Sequence, residues 1–224
     1  DRFFRGNQGS EVGVKIITPY YDPGSEMTQL EFKDMSQKEN NLIVKLPSDT
    51  TFLEEIEEVL KIESYLRKNG GTASTQTMED IKNRKRNEVV RRKENVKSLI
   101  VEALKTAEFF VNGQKLDIKE KDPVERINEG LKILIDSIYT KLSYITSFII
   151  SPDDFAKILM QETVQLSLVE DPNKLAVDEV SAYIERNTAR NLPVTMKTII
   201  NVFQRAPYGW NEEDIEGIIA KLFK

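Results

Sequence analysis

From Thr77 to Phe109 the sequence runs for 33 residues without a proline or a glycine. A stretch so free of helix breakers predicts one long helix. Its two ends differ. Val89, Val96, Leu99, Ile100, Ala103, Leu104 and Ala107 form an apolar stripe at helical spacing, whereas Asn83 to Arg86 carry nothing apolar. The pattern predicts an arm that buries its C-terminal end and projects its N-terminal end into solvent. That end is basic. Residues 82–93, KNRKRNEVVRRK, hold seven Lys or Arg and one Glu, a local charge of +6 in a chain whose formal net charge is −5. The remainder therefore sums to −11, so an acidic chain can carry a basic contact surface. Lys82, Arg84, Lys85, Arg86, Arg91, Arg92 and Lys93 are candidate contacts for nucleic acid or for an acidic partner. Paired instead with Glu79, Asp80 and Glu88, they would serve solubility alone.

Ahead of this arm the period is two. Val12, Val14 and Ile16 alternate, Leu30 and Phe32 stand two apart, and Leu42, Val44 and Leu46 share a face. Alternation with β-branched residues predicts a small, half-buried antiparallel sheet, with Pro23-Gly24 as a turn. The period then turns helical through Phe52, Ile56, Val59, Leu60 and Leu66, with Thr51 and Glu54 as a capping box, and Asn69-Gly70-Gly71 stops it. After the arm, Asn112-Gly113 between apolar flanks signals a hairpin. Asp122 and Pro123 open a core helix with apolar residues from Ile127 to Ile145, Tyr139 among its packing residues. Ser151 to Asp154 start a short helix through Met160.

Three helices close the chain, over Leu175–Thr188, Pro193–Gln204 and Asn211–Phe223. Between the last two lies RAPYGW, which predicts a stiff corner: Pro207 fixes φ, Gly209 permits the bend, and Tyr208 and Trp210 plug it. Such an arrangement matches a helix-turn-helix or winged-helix element. Asn211 is a suitable cap, and Glu212, Glu213 and Asp214 suit the positive end of the helix dipole. The same acids oppose a reading helix in a major groove, because phosphate contact needs cations.

Composition removes most catalytic chemistries. With no cysteine and no histidine, disulfides, thiolate nucleophiles, Ser-His-Asp catalysis and His-ligated metals are excluded. No GxxxxGK[ST] loop occurs; GNQGS at residues 6–10 lacks the Lys, which leaves Gly6 and Gly9 as turn residues. Asp153 with Asp154, and Glu212 with Glu213, sit where helix caps belong and do not converge on one site. No apolar run approaches the length of a membrane helix. The first residues show neither a starting Met nor a signal peptide, and the last lie inside a helical pattern, so the chain reads as a piece of a longer protein.

RAPYGWNEEDIEGIIAKLF resembles the signature near a winged-helix segment of the large P-loop ATPase of BREX phage-defence systems, the BrxC/PglY type. RGNQGSEVGVKIITP, NLIVKLPSDTTFLEEIEEVLKIESYL and RINEGLKILIDSIYTKL are similar in character. The resemblance implies a non-P-loop region of a cytoplasmic complex. It also implies ATP and Mg as cofactors of the parent protein but none in this fragment, and other BREX proteins or double-stranded DNA as partners.

The combined expectation is an α+β, mostly helical chain. It would comprise a small α+β subdomain at 1–70, a long helical arm with hairpin and core helix at 71–165, and a winged-helix-like element at 166–224. Its function would be non-catalytic, coupling nucleotide state to partner protein or DNA contacts. Two alternatives are a free-standing nucleic-acid-binding module using the basic helix 82–93 and a purely structural assembly scaffold.

Overall fold

The computed structural model describes residues 12–22, 27–38, 40–69, 75–151, 153–155 and 172–223. The expectations placed on Gly6, Gly9, Pro23, Gly24, Gly70, Gly71 and residues 156–166 lie outside them. In order, the elements are β1 (Gly13–Ile17), α1 (Gln29–Lys38), β2 (Asn41–Lys45), α2 (Thr51–Lys68), α3 (Gln76–Lys105), β3 (Glu108–Val111), β4 (Gln114–Leu116) and α4 (Pro123–Ile138). A short 3-10 turn (Leu142–Tyr144) leads to α5 (Lys174–Ala189), α6 (Met196–Phe203) and α7 (Glu212–Leu222). Packing divides the chain into two units, Asp1–Leu134 and Ile135–Lys224. The expected 1–70 segment thus shares a unit with the long helix and the hairpin.

The sheet has the order β1-β2-β3-β4. β2, β3 and β4 are antiparallel, as the alternation suggests, but β1 runs parallel to β2. The reason lies in Leu30 and Phe32, which the two-residue spacing assigned to a strand. They belong to α1, and a helix between two strands lets the second return parallel to the first. Thr28 and Glu31 start that helix: the Thr28 amide donates to the Glu31 carboxylate at 2.6 Å, and the Glu31 amide donates back to Thr28 Oγ1 at 3.4 Å. Helical spacing then buries Phe32 and Ser36 and leaves Leu30 75% exposed.

Strand alternation gives the sheet two apolar faces. Ile17, Ile43 and Phe110 pack with Phe32, joined by Met27 and Met35; the Phe32 and Phe110 rings stack at 5.5 Å. On the other face Gly130 of α4 lies against Leu42 and Phe109. The Asn112-Gly113 signal holds. Both residues have left-handed backbones and form the two-residue turn between β3 and β4, and the Gly113 amide donates to Ser36 Oγ of α1 at 2.9 Å. Arg126 spans the entry to α4. It donates to the Ala107 carbonyl at 2.7 Å and lies 4.9 Å from the Phe109 ring centre.

Several boundaries move for local reasons. α2 is preceded by Thr50 rather than Thr51, and no capping box forms: the Thr50 hydroxyl donates to Glu54, and Asp49 accepts the Thr51 amide. Asp122 caps α4 as read, accepting the amides of Val124 and Glu125. α4 ends at Ile138, well before Ile145, which is buried in the C-terminal unit instead. α6 starts at Met196 because Thr195 and Thr198 cap each other reciprocally. Asn211 occupies the cap position of α7 but makes no side-chain cap bond.

Candidate nucleic-acid interface

The basic stretch is not a bare helix, because α2 packs against it. α2 packs along the N-terminal half of α3, where Val59, Ile62 and Leu66 enclose Val89. The apolar contact is small because α3 has few apolar residues there. Charge supplies the rest of the joint. Arg92 donates to Glu55 of α2 at 2.7 Å and to Glu88 of its own helix at 3.0 Å. Lys93 pairs with Glu63 of α2 at 2.7 Å, and Lys85 with Glu88 at 2.6 Å. Glu55 and Glu63 could not be seen as partners in the sequence, because they lie on the preceding helix. Lysine and arginine hydrogen bonds hold the Glu88 carboxyl below its ordinary pKa, Lys85 first and Arg92 second. The Arg92 guanidinium is correspondingly raised, with Glu55 the largest cause.

Lys82 departs furthest from the expectation. Its side chain is 2% exposed, and its ammonium donates to Glu79 at 2.9 Å. Arg84, Arg86 and Arg91 are exposed. Arg86 bonds Asn83 at 2.6 Å, and none of the three makes an ion pair among the described residues. Of seven candidate cations, four are thus already paired within the chain.

The Ala206–Pro207 peptide is cis, and Gly209 takes φ +68°, a left-handed backbone where a side chain is strained. A Cβ at Gly209 would also sit 2.7 Å from the Tyr139 ring. Trp210 is 3% exposed. Its ring stacks on Phe203 at 5.0 Å, nearly parallel, and meets Tyr208 edge-on at 5.0 Å. Its indole N–H donates to the Lys141 carbonyl at 3.0 Å, and the Lys141 amide donates to the Pro207 carbonyl at 2.9 Å. Lys141 further reaches Glu179 of α5 at 2.5 Å, and the Tyr208 hydroxyl donates to the same carboxylate at 2.9 Å. The hydrogen bond from Lys141 first, then that from Tyr208, hold the Glu179 carboxyl below its ordinary pKa against the opposing effect of burial, and the Arg186 charge adds to them.

α7 is the core of this unit. Asp214, Ile215, Gly217, Ile218 and Ile219 are all buried, and its exposed N-terminal residues are Asn211, Glu212 and Glu213. Asp214 turns inward and accepts the Ile149 amide at 2.7 Å. Burial is the main cause of its raised pKa. Asp154 accepts the Ser151 amide and hydroxyl, a capping role. Among the described residues no group of His, Cys, Asp or Glu could hold a metal ion, and no helix is long and apolar enough to cross a membrane.

Residues 1–134 match the family model described as BREX ATP-binding protein BrxC 4th domain with six-stranded beta sheet. That match covers more than half of the chain. The chain belongs to the BrxC family. Residues 141–224 match the BREX ATP-binding protein BrxC winged helix-turn-helix domain, so the C-terminal unit has the winged-helix family fold that its three helices and stiff corner suggested. No solved structure matches the chain. Among the described residues of 1–134 the sheet has four strands.

Proposed function

We propose that this region of a BrxC protein performs no chemistry itself. It passes the nucleotide state of the family's ATPase to a contact that the winged-helix unit makes with double-stranded DNA or with another BREX protein. The observation that carries this reading is the use of α7. A helix that reads a major groove must present an exposed, cation-bearing face. α7 instead spends its apolar residues in the core and presents Glu212 and Glu213. The contact therefore falls to another face of the unit.

The division of labour is testable by titrating the 224-residue chain with Mg-ATP in a calorimeter. No binding heat is expected. A micromolar dissociation constant, about −8 kcal/mol, would assign a nucleotide site to this region and overturn the reading. The alternative contact on α3 draws support from Arg84, Arg86 and Arg91, which stand exposed and outside the ion pairs of that helix.

A further inference from the structure

We infer that the phosphate-contacting face of the winged-helix unit is the strip formed by the end of α5, the connection after it and the outer side of α6. This inference rests on the proposed role of that unit and names duplex DNA as its partner. Residues 186–205, RNTARNLPVTMKTIINVFQR, contain four cations and no carboxylate. The unit around them, residues 135–224, has a formal net charge of −4. The strip is thus +4 within an otherwise strongly acidic body, the segregation expected of a surface that meets an anion.

The fold keeps these cations available. Arg186, Arg190, Lys197 and Arg205 are all exposed, and among the described residues none makes an ion pair. The carboxylates nearest in sequence take their hydrogen bonds from other residues: Glu179 from Lys141 and Tyr208, with the Arg186 charge near enough to act on it but not paired with it, and Glu185 from the Ser181 hydroxyl at 3.2 Å. The Tyr183 and Phe203 rings meet edge-on at 5.6 Å. That contact joins α5 to α6 across the ends of this stretch. Arg186 follows one end by a turn of helix, Arg205 follows the other by two residues, and Arg190 and Lys197 lie between. α6 buries Ile199 and Phe203 and leaves Lys197, Asn201 and Gln204 exposed. Those three stand four and three residues apart, on one helical face. Cations interleaved with amides are the side chains that bind sugar-phosphate backbone without reading sequence. The acidic start of α7 turns phosphate away from that end of the unit, which fixes which side of the winged helix faces the duplex.

The test is fluorescence anisotropy of the 224-residue chain with a short mixed-sequence duplex across salt concentrations. Four phosphate contacts give a slope of log affinity against log salt of about −3 to −4, or roughly a 100-fold loss between about 50 and about 200 mM salt. The variant Arg186→Glu, Arg190→Glu, Lys197→Glu, Arg205→Glu should lose binding and salt slope. Arg84→Glu, Arg86→Glu, Arg91→Glu should retain both. Replacing the four strip cations by Gln controls for reversal, and an unchanged circular dichroism melt confirms the fold. If the α3 variant loses binding while the strip variant keeps it, the strip is overturned and α3 is the contact. If the wild type ignores duplex DNA at low salt, the strip is likewise overturned, while the non-catalytic reading stands or falls separately on the Mg-ATP titration.

Discussion

The α2–α3 hairpin and the C-terminal three-helix unit are held together by different forces. The hairpin buries Val59, Ile62 and Val89 and closes the remainder of its joint with Arg92–Glu55 and Lys93–Glu63. The C-terminal unit closes on Trp210, Phe203, Ile215 and Ile218, with Tyr208 packed against them. Where apolar packing is thin, charges such as Arg92 and Lys93 are drawn into ion pairs across the joint. Where aromatic residues do the packing, Lys141 is drawn in by Glu179 but Arg186, Arg190, Lys197 and Arg205 stay on the surface. A dense run of Lys and Arg in a sequence is therefore a poor guide to an exposed basic surface, and a sparse one without carboxylates can be the better guide.

The largest expected effect is on the aromatic side of this comparison. Trp210→Ala removes the stacked ring and its hydrogen bond to Lys141, and truncation of a buried aromatic costs about 3 to 5 kcal/mol. Thermal melting of the variant should show a large drop, equal at low and high salt, because packing is not screened. A variant melting with the wild type would mean that the corner does not hold the unit together.

Arg92→Ala tests the other side. Its pairs with Glu55 and Glu88 are partly exposed, and such pairs are modest and salt-screened. The variant should melt slightly below wild type in dilute buffer, and the gap should close in molar salt. A gap that persists in high salt would show that the aliphatic stem of Arg92 packs the hairpin, and the contrast between the two regions would weaken.

How far the sequence could be read follows the same division. Local chemistry was legible: Asn112-Gly113 made its turn, Asp122 capped its helix, and Trp210 was buried beside a left-handed Gly209. Leu30 and Phe32 misled because a two-residue spacing also fits a helix that buries only one of them. The pair Thr28 and Glu31, a T-x-x-E start, was the available signal. The antiparallel expectation for β1 failed with it. The fate of the basic stretch was not legible, since Glu55 and Glu63 meet it only after α2 folds back along α3. The strip at 186–205 was hidden for the opposite reason. Its four charges are spread over 20 residues, and they gain meaning only once Glu179 and Glu185 are seen to be engaged.

The smallest effects concern two carboxylates of the C-terminal unit whose pH responses have opposite signs. Glu179 is held below its ordinary value of 4.5, chiefly by Lys141. A depressed carboxyl contributes stability above its unfolded pKa and loses it as pH falls through the folded one. Glu179→Gln should therefore melt below wild type at neutral pH, with the difference vanishing in acid. Asp214 is raised above its ordinary value of 3.8, chiefly by burial. The folded state then holds the proton more tightly, so this group weakens the fold as pH rises through its raised pKa. Asp214→Asn keeps an amide oxygen to accept the Ile149 N–H and removes the buried charge. It should gain on wild type as pH rises from about 3 to about 7. Melting temperatures of both variants across that range decide the matter. If Asp214→Asn loses ground towards neutral pH, the ionised carboxylate and its bond to Ile149 outweigh the cost of burial. Asp214 would then act, like Glu179, as a tie that needs its charge.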